Sequence, residues 1–594
     1  MLRTHPRTVH PDTHRRVKGG ELIGSREPNG TYAWRGIRYA AAPVGPLRWR
    51  APQSSPAWAG VLKALEHGPM APQYAGMLVQ APARLHGKVV GDEDCLTLNV
   101  FAPSEAPAAR RRPVMVWIHG GANAAGTSAT YDVARNYAAH DGIVVVTVNY
   151  RLGVLGWFCH PALIKADQAT PEEQSGNFGT LDLIAALRWV RENIAAFGGD
   201  PECVTIFGES AGAQNVLTLL ASPLAAGLFH RAIAQSPVAD TFDVDEATER
   251  NHSPLESFRT SSHEIAARLW VTAGRNADVD SADNTLQAMP PVEVAAFLRS
   301  LSPAQLLGAV KPGTGGMYLT PRPIRDGVVL PKQPLSDLFR SGAWNRVPII
   351  LGSNRDEYRA FIADKAEHAW LLPGKFPVLR NRAEYLGEAG FLSKVWRSIN
   401  LDEPADALLA SGHSEVWTYR FDWDEAPAVP VLRPDLLFGA AHGMEMPFAF
   451  RDVRGELDLF KVNTPFNKAG RAAVAEAMGS AWASFAHSGV PSLPNGFNWQ
   501  RRTTDRGPDS LVIDSPAGGG LRMEMLRADV SSIKAGLRRS ADVSSGTARC
   551  RIYARAFLWC PMFVQHGSLD EYDQWCEEFS CNTPAHVFRP VMEV

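Results

Sequence analysis

Between residues 114 and 220 the chain alternates short apolar runs with amphipathic segments, and this alternation restricts the fold more than any other feature. The runs at Val114–Ile118, Ile143–Asn149 and Val204–Phe207 are predicted buried strands. Apolar residues spaced by three and four over Leu181–Phe197 predict an amphipathic helix, and Ala211–Leu220 is a second predicted helix. Strands that alternate with helices predict an α/β fold whose large, mostly parallel sheet has helices on both faces.

The same pattern continues outside this region. Helical spacing occurs at Tyr131–His140 and at Ala472–His487, whereas Val347–Leu351 and Thr418–Trp423 are further predicted strands. The stretch 240–345 is polar, rich in Pro and Ser, and more helical in pattern. We interpret it as an insertion that covers a functional site.

A G-x-S-x-G motif, Gly208-Glu209-Ser210-Ala211-Gly212, joins a predicted strand to a predicted helix. Five-residue patterns also occur by chance, and an ordinary turn serine is the alternative interpretation. The strand–turn–helix context favours a nucleophile elbow, in which a sharp turn holds the serine in a strained conformation. Its oxygen would then lie at a helix N-terminus, where backbone N–H groups favour an anion.

A glycine-rich turn, His119-Gly120-Gly121-Ala122, directly follows the predicted strand at Val114–Ile118. Acyl transfer requires backbone N–H donors that point at the developing oxyanion. Residues with small side chains leave such donors accessible, although a simple connecting turn would have the same composition.

Several longer segments extend this signal. The stretch from Phe197 to Gly212 resembles the serine signature of the type-B carboxylesterases, the cholinesterase-like branch of the α/β-hydrolase superfamily. Further segments resemble other conserved motifs of that family: 36–39, 43–48, 93–100 and 149–153. The resemblance covers about residues 17–540, and the order of the motifs is that of the family. It implies an α/β-hydrolase fold with helical insertions over the active site.

The resemblance also implies a catalytic triad in the order Ser, acid, His. Ser210 is the expected nucleophile. Glu357 takes the acid position in Gly352-Ser353-Asn354-Arg355-Asp356-Glu357, with the adjacent Asp356 as a rival. His442 lies in an H-G-x-E-x-P-F context and is the expected base. The three residues are far apart in sequence, so only the fold can bring them together.

The family's chemistry assigns further roles. The N–H groups of Gly121, Ala122 and Ala211 are expected to bind the oxyanion of the tetrahedral intermediate. Glu209 and Ser236 match positions close to the triad, where a purely structural hydrogen bond is an equal alternative.

Four charged residues match the family's internal ion pairs. Arg48 is expected to pair with Glu93, and Arg151 with Asp182, in structural roles.

The chain departs from the family in ways that limit its substrates. Cholinesterases carry a Trp shortly before the 93–100 signature, but no Trp lies between Trp58 and Trp117, which argues against a choline-ester specialist. Cys95 matches a family cysteine that is usually bridged to an upstream partner, but no cysteine precedes it, which favours a bacterial-type, disulfide-poor enzyme. Asn123 stands where Phe is common, which suggests a more polar or roomier acyl pocket.

Composition excludes several other classes. The chain has 594 residues, a formal charge of −2 and 45% hydrophobic residues, as expected for a globular protein with a large core. This charge balance gives no basic surface for nucleic acid. Neither a transmembrane segment nor the apolar region of a signal peptide is visible, so we expect a cytoplasmic protein, or a secreted or periplasmic one if the true start lies upstream. The triad chemistry implies no metal or organic cofactor, and the sequence leaves the oligomeric state open.

The ends of the chain differ from its body. Residues 1–16 are expected to form a flexible N-terminal extension, 17–539 the catalytic domain, and 540–594 a C-terminal extension of unknown role. Four of the seven cysteines lie in this last segment: Cys550, Cys560, Cys576 and Cys581. They lack the C-x₂-C spacing of zinc ribbons, so we expect free or incidentally paired thiols.

Three functional hypotheses follow. The first is a broad-specificity carboxylic ester hydrolase that acts on small-molecule esters. The second is a specialist, such as a lipase or an esterase for carbamates, pyrethroids or natural products, since fold does not fix substrate. The third is a non-catalytic binding protein on the same fold. The presence of all three triad residues argues against it.

Overall fold

A computed structural model provides the structure of the protein. It describes residues 7–104, 111–167, 169–250, 260–310, 317–318, 322–372, 376–428, 433–452, 454–459, 461–505, 507–543, 545–560 and 565–589. The strands of this part are, in chain order, β1 (Arg15–Val17), β2 (Gly20–Ile23), β3 (Ser25–Arg26), β4 (Tyr32–Arg38), β5 (Val61–Lys63), β6 (Gln73–Tyr74), β7 (Val89–Val90), β8 (Thr97–Ala102), β9 (Arg112–Ile118), β10 (Val144–Val148), β11 (Gly199–Glu209), β12 (Arg231–Gln235), β13 (Phe242–Asp243), β14 (Ile324–Arg325), β15 (Ile349–Asn354), β16 (Ala369–Leu372), β17 (Phe376–Leu379), β18 (Val416–Phe421), β19 (Ser510–Ile513) and β20 (Arg522–Glu524).

The α-helices of the same residues are α1 (Arg135–Asp141), α2 (Gly153–Gly156), α3 (Pro161–Asp167), α4 (Pro171–Gln174), α5 (Phe178–Asn193), α6 (Ala211–Ala221), α7 (Val244–Thr248), α8 (Ser262–Thr272), α9 (Val279–Ala288), α10 (Pro291–Ser300), α11 (Pro303–Leu307), α12 (Leu335–Ser341), α13 (Arg359–Ile362), α14 (Arg382–Arg397), α15 (Glu403–Ala410), α16 (Pro434–Leu437), α17 (Met446–Ala449), α18 (Lys468–Ser488), α19 (Val530–Arg539), α20 (Gly546–Tyr553) and α21 (Leu569–Phe579). A π-helical turn, Ser398–Asp402, joins α14 to α15, and a second one, Ala554–Leu558, follows α20.

The central sheet has eleven strands in the order β20-β19-β18-β15-β12-β11-β9-β10-β8-β4-β3. Strands β10, β9, β11, β12, β15, β18 and β19 pair in parallel in that spatial order. Antiparallel strands lie at both edges. The predicted mostly parallel α/β sheet is therefore confirmed. Because parallel strands end at the same edge, the loops after β9, β11, β12 and β15 meet there.

The predicted helices cover the two faces of this sheet. Successive residues of β9 point to opposite sides: Val116 belongs to the same buried cluster as α5 and α6, whereas Trp117 packs with α18. This is the two-sided burial that continuous apolar strands predict.

Most predicted elements are present, with shifted ends. The predicted helix at Tyr131–His140 is a 3₁₀ segment, Ser128–Ala134, followed by the shorter α1. Strand β15 begins at Ile349 rather than at residue 347, because Pro348 has no N–H to give to the ladder. Within 240–345 the described residues form α7–α12 and the short pair β13–β14.

The two ends of the chain both contact the body. At the N-terminus, the buried Thr13 hydroxyl exchanges hydrogen bonds with Gly24, and β1 pairs with β2. At the C-terminus, α20 and α21 pack with α14 in a third buried cluster. The proposed division of the chain at residues 17 and 540 stays a prediction. Among the described residues, no helix has the length and apolarity needed to cross a bilayer.

Candidate active site

Ser210 lies between the end of β11 and the first residue of α6, as the elbow motif predicts. Its backbone has φ 58° and ψ −123°, a conformation that L-residues rarely adopt. Its N–H donates to Gln235 O at 2.9 Å, which fixes the turn against the end of β12. This turn places Ser210 at the N-terminus of α6, just beyond the hydrogen-bonded end of the sheet.

The two glycines of the motif make this turn possible. A Cβ atom on Gly212 would lie 2.0 Å from Ile118 O, and one on Gly208 would lie 2.5 Å from the Gly212 carbonyl carbon. Both distances are far below van der Waals contact. Only glycine therefore allows α6 to begin this close to the end of β9.

The glycine-rich turn after β9 lies directly beside Ser210. A Cβ atom on Gly120 would be 3.1 Å from Ser210 Cβ, and the next two residues have positive φ, 105° at Gly121 and 57° at Ala122. Within the described part of the chain, none of the N–H groups of Gly121, Ala122 and Ala211 donates a hydrogen bond. Three uncommitted donors next to one serine form a candidate oxyanion hole.

His442 reaches this edge from the loop before α17. Its Nδ1 lies 2.7 Å from Glu357 Oε2, and Glu357 Oε1 accepts the N–H of Asn354 at 2.7 Å. The Glu357 side chain is fully buried. The rival Asp356 instead pairs with Arg355 and Arg359, at 2.8 and 2.9 Å. The geometry therefore assigns the imidazole partner to Glu357.

The other imidazole nitrogen faces a second carboxylate. His442 Nε2 lies 3.1 Å from Glu209 Oε1, so the imidazole bridges two buried acids. No hydrogen bond in the described residues joins the Ser210 hydroxyl to either imidazole nitrogen. Catalytic hydrogen bonds are often long in the free enzyme and tighten only when substrate binds.

A third buried carboxylate, Glu445, completes the acidic surroundings. It accepts hydrogen bonds from Asn354 at 2.6 Å and from Gln235 at 3.3 Å. Sequence reasoning assigned no role to Glu445. The signal was present, because Glu445 is part of the same motif as His442 and follows it by three residues.

These charges control the protonation of the imidazole. Burial disfavours the imidazolium of His442, but the carboxylates of Glu209 and Glu357 outweigh it and raise the pKa to about 9. Burial also raises the pKa of Glu209, and the nearby charges of Glu445 and Glu357 add to this effect against the opposing attraction of His442. The carboxylates therefore keep the His442 imidazole protonated near neutral pH, where an imidazole without such neighbours would release its proton.

Aromatic rings form a wall beside the imidazole. The ring centroids of Trp396 and Phe361 lie 4.8 and 5.3 Å from that of His442, and the two rings stack at an interplanar angle of 13°. Tyr358, the residue after Glu357, contacts Trp396 and lies within hydrogen-bond distance of Cys560 Sγ, at 2.9 Å. Sequence reasoning missed these contacts, and no motif marked Trp396 or Phe361.

Ser236, the second proposed neighbour of the triad, follows β12 at the same edge. It is fully buried and has φ 46°. Its N–H donates to Gly352 O at 2.8 Å, whereas its hydroxyl has no hydrogen-bond partner among the described residues. It therefore shapes the strand ends next to Ser210, without a contact that assigns it a chemical role.

The hypothesis about Asn123 and the acyl pocket stays a prediction. Its side chain is 3% exposed and bonds to α6 through Gln214 at 3.2 Å and Asn215 at 2.9 Å. Because both ends of the amide bond to the helix, the residue connects α6 to the glycine-rich turn.

The two predicted structural ion pairs are confirmed. Arg48 lies 2.5 Å from Glu93, and Arg151 lies 2.7 Å from Asp182. Both pairs are buried. Breaking either one would leave an unpaired charge in the core.

Comparison with known proteins agrees with this geometry. The family model described as "Carboxylesterase family" matches residues 11–376. The chain is 34% identical over 511 residues to the para-nitrobenzyl esterase of Bacillus subtilis, covering 84% of this chain and 94% of that protein. It is 32% identical over 541 residues to the fumonisin B1 esterase of Sphingopyxis macrogoltabida, covering 86% and 88%. A solved PNB esterase structure superposes with a TM-score of 0.62 at 28% identity, covering 88% of this chain and 99% of that one.

These matches extend over most of the chain and over most of each relative. They agree with the α/β-hydrolase fold and with the order of the sequence motifs. The chain therefore belongs to the carboxylesterase family and is a serine carboxylic ester hydrolase.

Proposed function

We propose that Ser210, His442 and Glu357 hydrolyse the ester through an acyl-enzyme intermediate. The observation that carries this proposal is the strained Ser210 beside three uncommitted N–H groups. Such an arrangement costs conformational energy and leaves donors without acceptors, which is the expected state of a site complementary to a transition state.

The steps follow from the residues. The Ser210 oxygen attacks the carbonyl carbon while its proton passes to Nε2 of His442, and the N–H groups of Gly121, Ala122 and Ala211 bind the oxyanion. The imidazolium then protonates the leaving alcohol. Water repeats the sequence on the acyl-enzyme, releases the carboxylic acid and returns the proton to Ser210.

The two carboxylates on His442 have different parts in this proposal. Glu357 holds Nδ1 and fixes the orientation of the ring, so that Nε2 is the nitrogen that exchanges the proton. Glu209 lies at Nε2 itself and stabilises the imidazolium that forms when Ser210 is deprotonated. Substrate must draw Nε2 toward Ser210 and away from Glu209 for the reaction to begin.

We further propose a broad-specificity carboxylesterase for small apolar esters. The stacked rings of Phe361 and Trp396 offer an apolar surface beside the imidazole, which suits an alkyl or aryl group of the ester. The names of two relatives, a para-nitrobenzyl esterase and a fumonisin B1 esterase, refer to very different substrates. A specialist for one natural ester is the second candidate, supported by the latter name.

The test is hydrolysis of p-nitrophenyl esters from acetyl to palmitoyl by the wild type and by Ser210→Ala. Ser488→Ala, at the exposed end of α18, is the matched control. We expect activity in the wild type and in the control, and its loss in Ser210→Ala by about 10⁴-fold or more. Activity that survives in Ser210→Ala would contradict the assigned nucleophile.

A second readout separates a faulty assignment from a narrow substrate range. A fluorophosphonate probe should label Ser210 in the wild type, and peptide mass spectrometry should locate the adduct there. Labelling without hydrolysis of any p-nitrophenyl ester would favour the specialist. Labelling at another serine would contradict the proposed triad.

A further inference from the structure

Three cysteines of the C-terminal extension converge on one point. The Sγ atoms of Cys550, Cys576 and Cys581 all lie within 4.8 Å of one another, although Cys550 is 26 residues from the nearest of the other two. All three are free thiols. Cys550 and Cys581 are buried, and Cys576 is half-buried.

The backbone explains why two of the three meet. Helix α21 ends at Phe579, and the next residue, Ser580, has a left-handed conformation with φ 53°. The chain therefore turns back, and the N–H of Cys581 donates to the carbonyl of Cys576 at 2.9 Å. This reversal brings the side chain of Cys581 next to that of Cys576, in the last turn of the helix.

Close packing of two helices brings in the third cysteine. At the start of α20, a Cβ atom on Gly546 would lie 2.0 Å from Phe579 O, so glycine permits the contact between the two helix ends. One turn further along α20, the Cys550 thiol lies 3.6 Å from Trp575 O. The three sulfur atoms therefore come from α20, from the last turn of α21 and from Cys581, two residues beyond the end of α21.

A row of aromatic rings lies in the same part of the extension. The rings of Tyr553, Trp575 and Phe579 pack in sequence, with centroids 5.0 and 5.4 Å apart. No His, Asp or Glu within the described residues joins the three sulfur atoms in one group. A buried set of donors made only of thiols selects soft or borderline metal ions over Mg²⁺ or Ca²⁺.

We propose that Cys550, Cys576 and Cys581 bind one thiolate-selective metal ion, with Zn²⁺ as the representative of this class. Tetrahedral zinc with Zn–S bonds of about 2.3 Å places its sulfur ligands about 3.8 Å apart, within the observed limit. Binding converts the three thiols to thiolates and releases their protons. The fourth tetrahedral position is left for water or another small ligand.

The expected consequence is structural, because the ion would connect α20 to the end of α21. Both helices belong to the cluster that packs on α14, and α14 carries Trp396 against His442. The folded extension presents the three ligands together and would bind the ion more tightly than the unfolded one, so the ion stabilises the extension by mass action. The site takes no part in the ester chemistry.

The test is metal content at full length. Wild type, Cys576→Ser and Cys550→Ser are reduced, stripped with a chelator and equilibrated with Zn²⁺, and bound metal is measured after gel filtration. Cys203→Ser removes one half-buried thiol outside the cluster and is the matched control. We expect about one equivalent of zinc in the wild type and in the control, and loss of that equivalent in both cluster variants.

Two further measurements test the proposal on the wild type, in case Cys550→Ser does not fold. Cobalt(II) added to the wild type should give the thiolate-to-cobalt charge-transfer bands of a sulfur-rich tetrahedral site. Thiol titration of the native, reduced wild type should report fewer reactive thiols with zinc than after chelation.

Several results would overturn the proposal. One is equal zinc binding by the wild type and the half-buried Cys576→Ser variant. Another is the absence of zinc binding in reduced wild type with seven titratable thiols. A third is a disulfide between two of the three cysteines that persists in the native protein. The Ser210→Ala variant should keep its zinc, so this proposal and the proposed triad fail independently.

Discussion

The edge of the sheet that carries Ser210 and the C-terminal extension are stabilised in different ways. At the sheet edge the backbone itself is constrained: Ser210, Ser236 and Ala122 have positive φ, and Gly212 touches the end of β9. In the extension the backbone reverses at Ser580, which has positive φ, but the helices are held against the body of the protein by side chains, above all by the buried ion pairs of Arg551 and Arg555 with Glu388.

This difference determines how each region tolerates substitution. A strained turn with close backbone contacts accepts few residue types at fixed spacing, which makes it visible as a sequence motif. Ion pairs between side chains can hold helices of many different sequences, so they leave no local sequence motif. The two regions nevertheless meet, because Tyr358 follows Glu357 and contacts Cys560 of the extension.

The largest expected effect is on chemistry at the sheet edge. Glu357→Gln keeps the shape of the side chain but removes the charge that fixes the His442 imidazole. We expect kcat to fall by about 10⁴-fold, as when the acid of a serine protease triad becomes an amide. Asp356→Asn is the matched control, because that carboxylate pairs with arginines instead of His442. Steady-state kinetics on one p-nitrophenyl ester measures kcat for both variants. A lower kcat for Asp356→Asn than for Glu357→Gln would contradict the assignment.

The second prediction concerns the anchor of the extension. Glu388→Gln leaves Arg551 and Arg555, at 2.8 and 2.6 Å, without their buried partner, so we expect a loss of about 3–5 kcal/mol in the free energy of unfolding. Glu384→Gln removes a more exposed partner of Arg551 and should cost about 0–1 kcal/mol. Urea denaturation measures both losses. Equal losses would mean that burial does not distinguish the two carboxylates.

The same anchor has a definite pH dependence. Burial opposes ionisation of Glu388, but His368 and the two arginines outweigh it and hold its pKa well below the usual range. Its stabilising contribution is therefore complete above the pKa of an unfolded glutamate and is lost as the pH falls toward the folded value. At acidic pH, the free energy of unfolding of the wild type should therefore approach that of Glu388→Gln.

The third prediction compares backbone sensitivity in the two regions. Gly212→Ala places a methyl group against Ile118 O and should cost about 3 kcal/mol of stability, together with most of the activity. Gly390→Ala, in α14 beneath the extension, meets no atom within 4 Å. It should be stabilising by about 0.5–1 kcal/mol, because alanine favours the helix. Thermal unfolding separates the two, and destabilisation by Gly390→Ala would weaken the contrast.

The smallest expected effect is a shift in pH dependence. In the proposed mechanism His442 accepts the Ser210 proton only when its imidazole is neutral, so we expect the acid limb of kcat/KM against pH to follow its raised pKa. Glu209→Gln removes the carboxylate that raises this pKa most and should shift the acid limb to lower pH. Glu192→Gln, on the exposed side of α5, is the control. An acid limb that stays in place or shifts upward would exclude Glu209 as the main cause.

Much of the sheet and of the candidate site could be predicted because their signals are local. The apolar runs of β9, β10 and β11 and the helical spacing of α5 reflect burial of each segment separately. The G-x-S-x-G motif specifies its own turn. The ends of helices and strands were harder to predict, as at Pro348, because they depend on hydrogen bonds to neighbouring strands.

Contacts between segments that are distant in sequence could not be predicted from such local signals. Glu209 lies at Nε2 of His442, and Trp396 packs on the same ring, yet neither relation follows from spacing along the chain. The contacts of Asn123 were missed for the same reason, because they depend on the α6 residues that its amide meets.

The sequence by itself therefore determined the parallel α/β fold and the elbow at Ser210, since each is encoded in residues that are neighbours in the chain, and its resemblance to the carboxylesterases implied the chemistry. Only the tertiary structure decided which acid holds His442, how three carboxylates share its surroundings, and that Cys550, Cys576 and Cys581 meet. Burial sets the strength of charge interactions, and a chain reversal at Ser580 sets the distance between the sulfur atoms. Both arise only when segments distant in sequence pack together.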